Sequence, residues 1–435
     1  MSMMRCYLVL FLSLAAVTAY TFSPSERHYG SQVLRITPQN EADLEWLRDF
    51  ERNYENALDF WQGPTRLLNR GVDVWVPKSM IRQIRELLLE NEMQFNVMIP
   101  DVQGVIDEQF TKMAGRTRPS TLADFDYSVY HPYDEIRQWV LDMATDHRDI
   151  VSEFLVTESY EGREMRAIKI SVKPNAAKKS IWFEGGIHAR EWISPATVMY
   201  IANQLVTDYK SGDQRVVKIL ESWDVFIVPS LNVDGYAYTW ATERMWRKTR
   251  SLNPDFGCVG TDANRNWPYK WGGDGASPWA CSNTYRGETA LSEVEMKAIT
   301  SYALARTKEQ EIRIFIDWHS YAQLWLAPWS YDDAVELPPE SPDQLKAAQA
   351  GVDAQFAVHA FEYIAGPSAR ILYEASGASN DWGFGGLGAK YSYVMELRDT
   401  GEYGFLLPED QIIPCGEENY AATLALAEYV LDNDF

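Results

Sequence analysis

Residues 185–192 read GGIHAREW and follow directly on the apolar run Ile181–Phe183. A histidine and a glutamate stand three residues apart, with an arginine between them, just past a glycine pair. An apolar run closed by glycines predicts a strand ending in a tight turn. In α/β sheets ligands gather beyond the carboxyl ends of the strands. The position of His188 and Glu191 therefore matters as much as their chemistry. Alone, the fragment is a short match of the kind that polar surface loops also produce.

Two further stretches give it company. IFIDWHSY brings His319 directly after an apolar run, and KYSYVMEL carries Glu396 at the close of another. Three separate strand ends thus each deliver groups fit for metal or proton chemistry. A catalytic zinc takes three N or O ligands and keeps one position open, and two histidines with one glutamate form such a set. The spacing differs from HExxH, in which both histidines share one helical face. The chain has six histidines. His28 lies in the N-terminal part, while His131, His147 and His359 stand in loop-like or helix-like contexts without acidic neighbours at ligand spacing; all four are read as structural.

Around these strands the patterns alternate. REMRAIKIS, SIWFEGG, WDVFIVPSLN, IRIFIDW and KYSYVMEL read as strands. SPATVMYIANQLVTDY reads as a helix with Pro195 in its first turn, and NYAATLALAEYVLD as a closing helix. SEVEMKAITSYALART predicts a helix opened by Ser292, with Glu295 three residues on completing a capping box. Such alternation predicts an α/β fold, a mixed twisted sheet covered by helices on both faces. Before it stands a small α+β module. GVDVWVP predicts a strand, KSMIRQIRELLLENEM a helix, and FNVMIPDVQGVIDEQF a second strand and helix. KMAGRTRPSTLADF, residues 112–125, is rich in Gly, Pro, Ser and Thr and reads as an exposed linker open to proteolytic nicking.

The 435 residues are 46% hydrophobic, enough for one large domain and a smaller one. Acidic residues outnumber basic ones 62 to 40, a net charge of −22. That balance argues against nucleic acid or an anionic membrane as a partner, since both demand basic surfaces. Arg5, the apolar stretch Cys6–Val17 and the small residues of Val17-Thr18-Ala19 predict a cleaved export signal over residues 1–19. The stretch is shorter than the ~20 apolar residues of a membrane span. Export places the cysteines in an oxidising compartment. Cys258 and Cys281 flank a loop rich in Gly, Asn and Trp and suit a disulfide, although spacing leaves a pairing with Cys415 open. An unpaired thiol here is expected to be buried.

From about Gly71 onward the chain resembles the zinc metallocarboxypeptidases of the carboxypeptidase A/B family, which are made as secreted zymogens. HARE, RMWRKTR, DANRNW, IDWHSY, YEASGASNDW and MELRDTGEYGFLLP follow that family's motifs in that family's order. The small module, VDVWVP…MIPDVQGVIDEQ, is similar to the family's inhibitory propeptide. The resemblance implies an export signal at 1–19, a propeptide with linker at 20–116 and a catalytic domain at 117–435. It implies a monomer acting on peptide and protein C-termini after an activating protease cuts behind Arg116, since Pro119 makes Arg118 the poorer tryptic site.

Carried over residue by residue, the resemblance implies one zinc per chain held by His188, Glu191 and His319. That ligand set is already documented for carboxypeptidase A. Asp262 would accept the free N–H of His188, Glu396 would be the general base, and Arg247 would stabilise the oxyanion. Asn264 and Arg265 would grip the substrate carboxylate, with Tyr373 closing over the bound residue. Arg190, Arg244, Ser320 and Tyr321 would line the path of the upstream chain. The sequence departs from the family at Asn380, the base of the side-chain pocket, which is apolar in A-type and Asp in B-type enzymes. A neutral amide there predicts release of Phe, Tyr, Leu or Met rather than Lys or Arg. Asp317, two residues before His319 on the same strand face, is the residue that could reverse this, unless the backbone satisfies it.

Overall fold

Alternation in VDVWV places Val72, Val74 and Val76 on one face of a strand, and that face builds the core of the N-terminal module. The computed structural model describes residues 28–68, 70–173, 178–253 and 257–434; the export signal expected at 1–19 lies outside them. The module runs β1 (Gln32–Thr37), α1 (Glu41–Tyr54), β2 (Asp59–Gln62), β3 (Val72–Val76), α2 (Ile81–Glu90), β4 (Gln94–Ile99) and α3 (Val102–Met113). Its four strands form an antiparallel sheet in the order β2-β3-β1-β4. Leu47 and Phe50 of α1, with Ile84 and Leu88 of α2, pack on Leu34, Ile36 and the β3 valines. Asn40 caps α1 by accepting from the Asp43 N–H. β1, α1 and β2 went unread in the sequence.

α3 turns the other way. Its Val102, Ile106, Phe110 and Met113 are buried in the core of the larger domain, not in that of their own module. At about 1.5–3 kcal/mol per buried side chain as an upper estimate, four such residues hold the module firmly down.

The larger domain begins with α4 (Tyr133–Asp146), β5 (Val151–Glu158), β6 (Glu164–Ile170) and β7 (Lys179–Gly185). It continues through α5 (Ile193–Ser211), α6 (Gln214–Ser222), β8 (Trp223–Val228), α7 (Val233–Ala241) and the short pair β9 (Leu252–Asn253) and β10 (Cys258–Val259). Then come α8 (Val294–Thr307), β11 (Ile312–His319), β12 (Leu324–Ala327), α9 (Ser341–His359) and β13 (Ile364–Pro367). α10 (Ser368–Ile371), α11 (Ser379–Gly385), β14 (Tyr391–Glu396) and α12 (Ile412–Asn433) complete it.

Eight strands form one mixed sheet in the order β13-β12-β14-β11-β7-β8-β6-β5. The central four are mutually parallel, whereas β12 joins β14, and β6 joins β8 and β5, antiparallel. All six residues of β8 are buried, as a parallel strand covered on both faces requires. α5 packs on β7 and β11, α12 lies on α5 and α9, and α4 and α8 cover β5. The expected α/β architecture is therefore present, with the α+β module before it.

Two local readings need correction, and the cysteine pairing is settled as expected. α8 starts one turn-position later than the capping box requires: Glu293 is its N-cap and no side chain caps it. Ser292 instead donates its hydroxyl to Glu293, while Glu295 accepts from the Tyr160 N–H. The linker is only partly exposed, because Arg116 reaches back to an ion pair with Glu409. Residues 112 and 113 still belong to α3, and Leu122–Asp124 form a 3-10 turn. Cys258 and Cys281 are disulfide-bonded, which closes the alternative pairing, and Cys415 is a buried free thiol that burial pushes up to about 12.

Candidate active site

Parallel pairing brings the three strand ends together. His319 lies in register with Glu396, and Trp318 with Gly185. The glycine pair is required by space and by conformation. A Cβ on Gly185 would sit 2.9 Å from the Pro229 carbonyl oxygen, and Gly186 has φ +65°. Ser194, at the start of α5, accepts from the Gly186 N–H and donates to the Trp318 carbonyl, tying the turn after β7 to β11.

His188 Nδ1 is 2.8 Å from Glu191 Oε1, and His319 Nδ1 is 3.3 Å from Glu191 Oε2. The two Nδ1 atoms are 3.1 Å apart, and all three side chains are buried. Their donor atoms lie within 4.8 Å of one another, close enough to hold one metal ion. Each outer ring nitrogen meets a carboxylate: His188 Nε2 is 3.0 Å from Asp262 Oδ1, and His319 Nε2 is 2.8 Å from Asp317 Oδ2. In the tautomers that donate from both Nε2 atoms to these carboxylates, two Nδ1 lone pairs and a carboxylate converge, an arrangement that repels itself unless a proton or cation lies between. Two imidazoles and a carboxylate suit zinc.

The electrostatics follow from burial and these neighbours. Burial opposes ionisation of Glu191, yet the charges of His188 and His319 hold it below the usual carboxylate range. Asp262 is likewise buried and likewise held well down, by Arg247, His188 and Arg265. Glu396 goes the opposite way. Burial, with Glu191 and Asp317 nearby, lifts it to about 8 against the pull of His319 and Arg247. Its Oε2 has no hydrogen-bond partner among the described residues.

One cavity joins the triad to Glu396, Arg247, Asn264, Arg265 and Tyr373. Arg247 is fixed by Asp262, Nη2 to Oδ2 at 2.9 Å. Arg265 spends Nε on the Gly275 carbonyl and Nη1 on that of Asn264. Asn264 accepts from the Ser379 N–H through Oδ1. The cavity is also lined by Leu326, Ser330, Ala375, Ala378, Asn380 and Val394. Asn380 Oδ1 accepts from Ser330 and from the Asp381 N–H, and its Nδ2 donates to the Leu326 carbonyl.

Asp317 does not line this cavity. It bonds His319, so neither the pocket-wall reading nor the backbone reading of that residue stands. Residues 317 and 319 share a strand face, but that face leads to the metal-facing histidine, not to the pocket. His131 also departs from expectation, with Glu135 one helical turn on and 2.7 Å away. His28 meets Glu243 and His359 meets Glu417, both distant in sequence.

The N-terminal module occupies the residues expected along the upstream path. Asp59 pairs with Arg190 and accepts from Asn283. Asp73 accepts the Tyr321 hydroxyl at 2.6 Å, and Gln109 accepts from Arg244 at 2.9 Å. Trp61 and Gln62 line the cavity itself. Ser320 donates its backbone N–H to Glu191. Phe405, which the sequence did not single out, stacks under the Arg190 guanidinium at 4.0 Å.

The sequence profile described as "Zinc carboxypeptidase" matches residues 136–422, and that described as "Carboxypeptidase activation peptide" matches residues 34–109. Carboxypeptidase A2 of Rattus norvegicus is 37% identical over 431 residues, 98% of this chain and all of the relative. Carboxypeptidase A1 of Bos taurus is 37% identical over 94% of this chain and 96% of its own. Among solved structures, thrombin activatable fibrinolysis inhibitor superposes with a TM-score of 0.82 at 34% identity, covering 93% of this chain and 100% of that one. Carboxypeptidase A from Helicoverpa armigera gives 0.84 at 25% identity over 94% and 99%. With its profile match, its near-complete coverage and its buried His-Glu-His cluster, the chain belongs to the zinc carboxypeptidase family and carries that family's activation peptide.

Proposed function

We propose that the chain is a secreted, monomeric zymogen of an A-type carboxypeptidase, holding one zinc on His188, Glu191 and His319. The observation that carries this reading is the single cavity in which Arg265 and Glu396 face the same space as the triad. Arg265 has committed Nε and Nη1 to backbone carbonyls, which leaves Nη2 for a free carboxylate. Recognition of that carboxylate distinguishes removal of a terminal residue from cleavage within a chain. Tyr373, on the cavity wall, covers the bound residue.

Zinc in this site supplies Lewis acidity that polarises the scissile carbonyl and acidifies the attacking water. Glu396, lifted by burial, accepts a proton from that water on its carboxylate and returns it to the departing amine. Arg247, already oriented by Asp262, donates to the oxyanion as it forms, a contribution of about 3–4 kcal/mol to lowering the barrier. In the intact chain Asp59, Asp73 and Gln109 hold Arg190, Tyr321 and Arg244, and Trp61 with Gln62 fills the approach, which supports latency until a cut behind Arg116.

The reading on specificity rests on Asn380. Apolar walls with a neutral amide at the base favour Phe, Tyr, Leu and Met, whose burial contributes about 1.5–3 kcal/mol. With Asp317 committed to His319, no observation favours release of Lys or Arg. The test pairs two peptides, alike but for a free or an amidated C-terminus, after limited tryptic cleavage. The free peptide should lose its last residue and the amide should survive; equal cleavage of both refutes the carboxylate-anchoring role.

A further inference from the structure

Asp317 is a costly residue. It is fully buried in the middle of a sheet, and its Oδ1 has no hydrogen-bond partner among the described residues. Its cross-strand partner in β7 is Glu184, a second fully buried carboxylate, whose Oε2 is also without a partner. An isolated buried carboxylate costs several kcal/mol. Asp317 makes one side-chain hydrogen bond that the structure records, from His319 Nε2 at 2.8 Å.

We propose that Asp317 is a positioning residue for the metal site, doing for His319 what Asp262 does for His188. Strand positions 317 and 319 share a face and bring the carboxylate against His319 Nε2, at 2.8 Å, nearer than the Asn264 Nδ2 at 3.3 Å. Accepting from Nε2–H fixes the tautomer in which the Nδ1 lone pair faces Glu191 and His188. A carboxylate oxygen accepting from Nε2–H makes Nδ1 a stronger donor to a dication. The two histidines are thereby braced from opposite sides, one by a carboxylate from a loop and one from its own strand. This inference rests on the reading of His188, Glu191 and His319 as the zinc ligands.

The test is the zinc affinity of the full-length chain, measured by competition with a chelator, for wild type, Asp317→Asn and Asp317→Ala. Partners in this position are worth about 10–100-fold in metal affinity. We expect Asp317→Ala to fall in that range, and Asp317→Asn, which keeps an acceptor but loses the charge, to lie between it and wild type. Thermal unfolding of the metal-free proteins runs alongside. A variant that melts lower without zinc but binds zinc as tightly as wild type would show that Asp317 serves the fold alone, and would overturn the proposal. Failure of wild type itself to bind zinc would instead overturn the ligand assignment beneath it. The near-isosteric Asp317→Asn keeps the test informative where the alanine variant does not fold.

Discussion

Glu396 and Asn380 show how far single residues can be read from sequence. Glu396 stands at the end of an apolar run, and the structure puts it in the cavity with the triad. Glu396→Gln keeps the shape but cannot take a proton; turnover should fall by about 10²–10⁴ while bound zinc, measured by metal analysis, stays at the wild-type level. Near-wild-type turnover would remove Glu396 from the chemistry. Asn380→Asp places a charge at the pocket base, where an unpaired cation costs several kcal/mol. The ratio of kcat/KM for matched Lys and Phe substrates should rise by about 10²-fold or more, and a ratio unchanged from wild type would move the specificity determinant elsewhere. The candidate ligand residues were legible because His319 ends β11 and His188 and Glu191 follow just past β7, positions that pattern reveals. Asp317 was not, because period-two alternation says which face a residue shares but not which way that face leads. Only the order β14-β11-β7 of the sheet decides that.

At the scale of elements, apolar periodicity found the long strands and helices, and missed those whose burial is partial. β5 alternates between buried, half-buried and exposed positions, and α1 holds only three buried residues. The error at α8 is instructive in another way. Ser-x-x-Glu fits a capping box, but Tyr160 offers Glu295 a backbone N–H from across the fold, and that contact takes the carboxylate. Buried there, with Asp234 and Glu293 nearby, Glu295 is raised to about 7 despite the hydrogen bond. A folded-state value above the unfolded one means that the folded chain holds a proton which the unfolded chain releases. Stability from this group is present below about 4.5 and is lost as pH rises to about 7. Glu295→Gln should therefore match wild type near pH 4 and exceed it at pH 8, by up to about 3 kcal/mol in denaturant unfolding of the zymogen. Equal stabilities at pH 8 would show that Glu295 ionises without strain.

For the molecule as a whole, α3 is the element that joins two bodies, its apolar face sunk in a core that is not its own. The sequence could not reveal this, since an amphipathic helix announces that it will be covered but not by what. The activation segment beyond it is held by the Arg116–Glu409 pair, with Glu409 also accepting from the Tyr130 N–H. On the proposed cut behind Arg116, an activating protease would have to pull that residue free, and a partly exposed pair of this kind is worth up to about 1 kcal/mol. Glu409→Gln should speed tryptic activation by up to about fivefold, with the new N-terminus at Thr117 by sequencing; an unchanged rate would show that the pair does not gate the cut. The clasp of Asp59, Asp73 and Gln109 on Arg190, Tyr321 and Arg244 carries a consequence for how such a chain can change. On the proposed reading, in which Arg190, Tyr321 and Arg244 also line the upstream path, each of the three answers to two masters. A substitution that retunes recognition of the upstream peptide also loosens the clasp, and its bearer risks premature activity before any benefit is felt. Asn380 is free of that double bond, since its hydrogen bonds run to neighbours within its own domain. On the proposed role of Asn380, preference for the terminal residue can change while the safety catch stays intact.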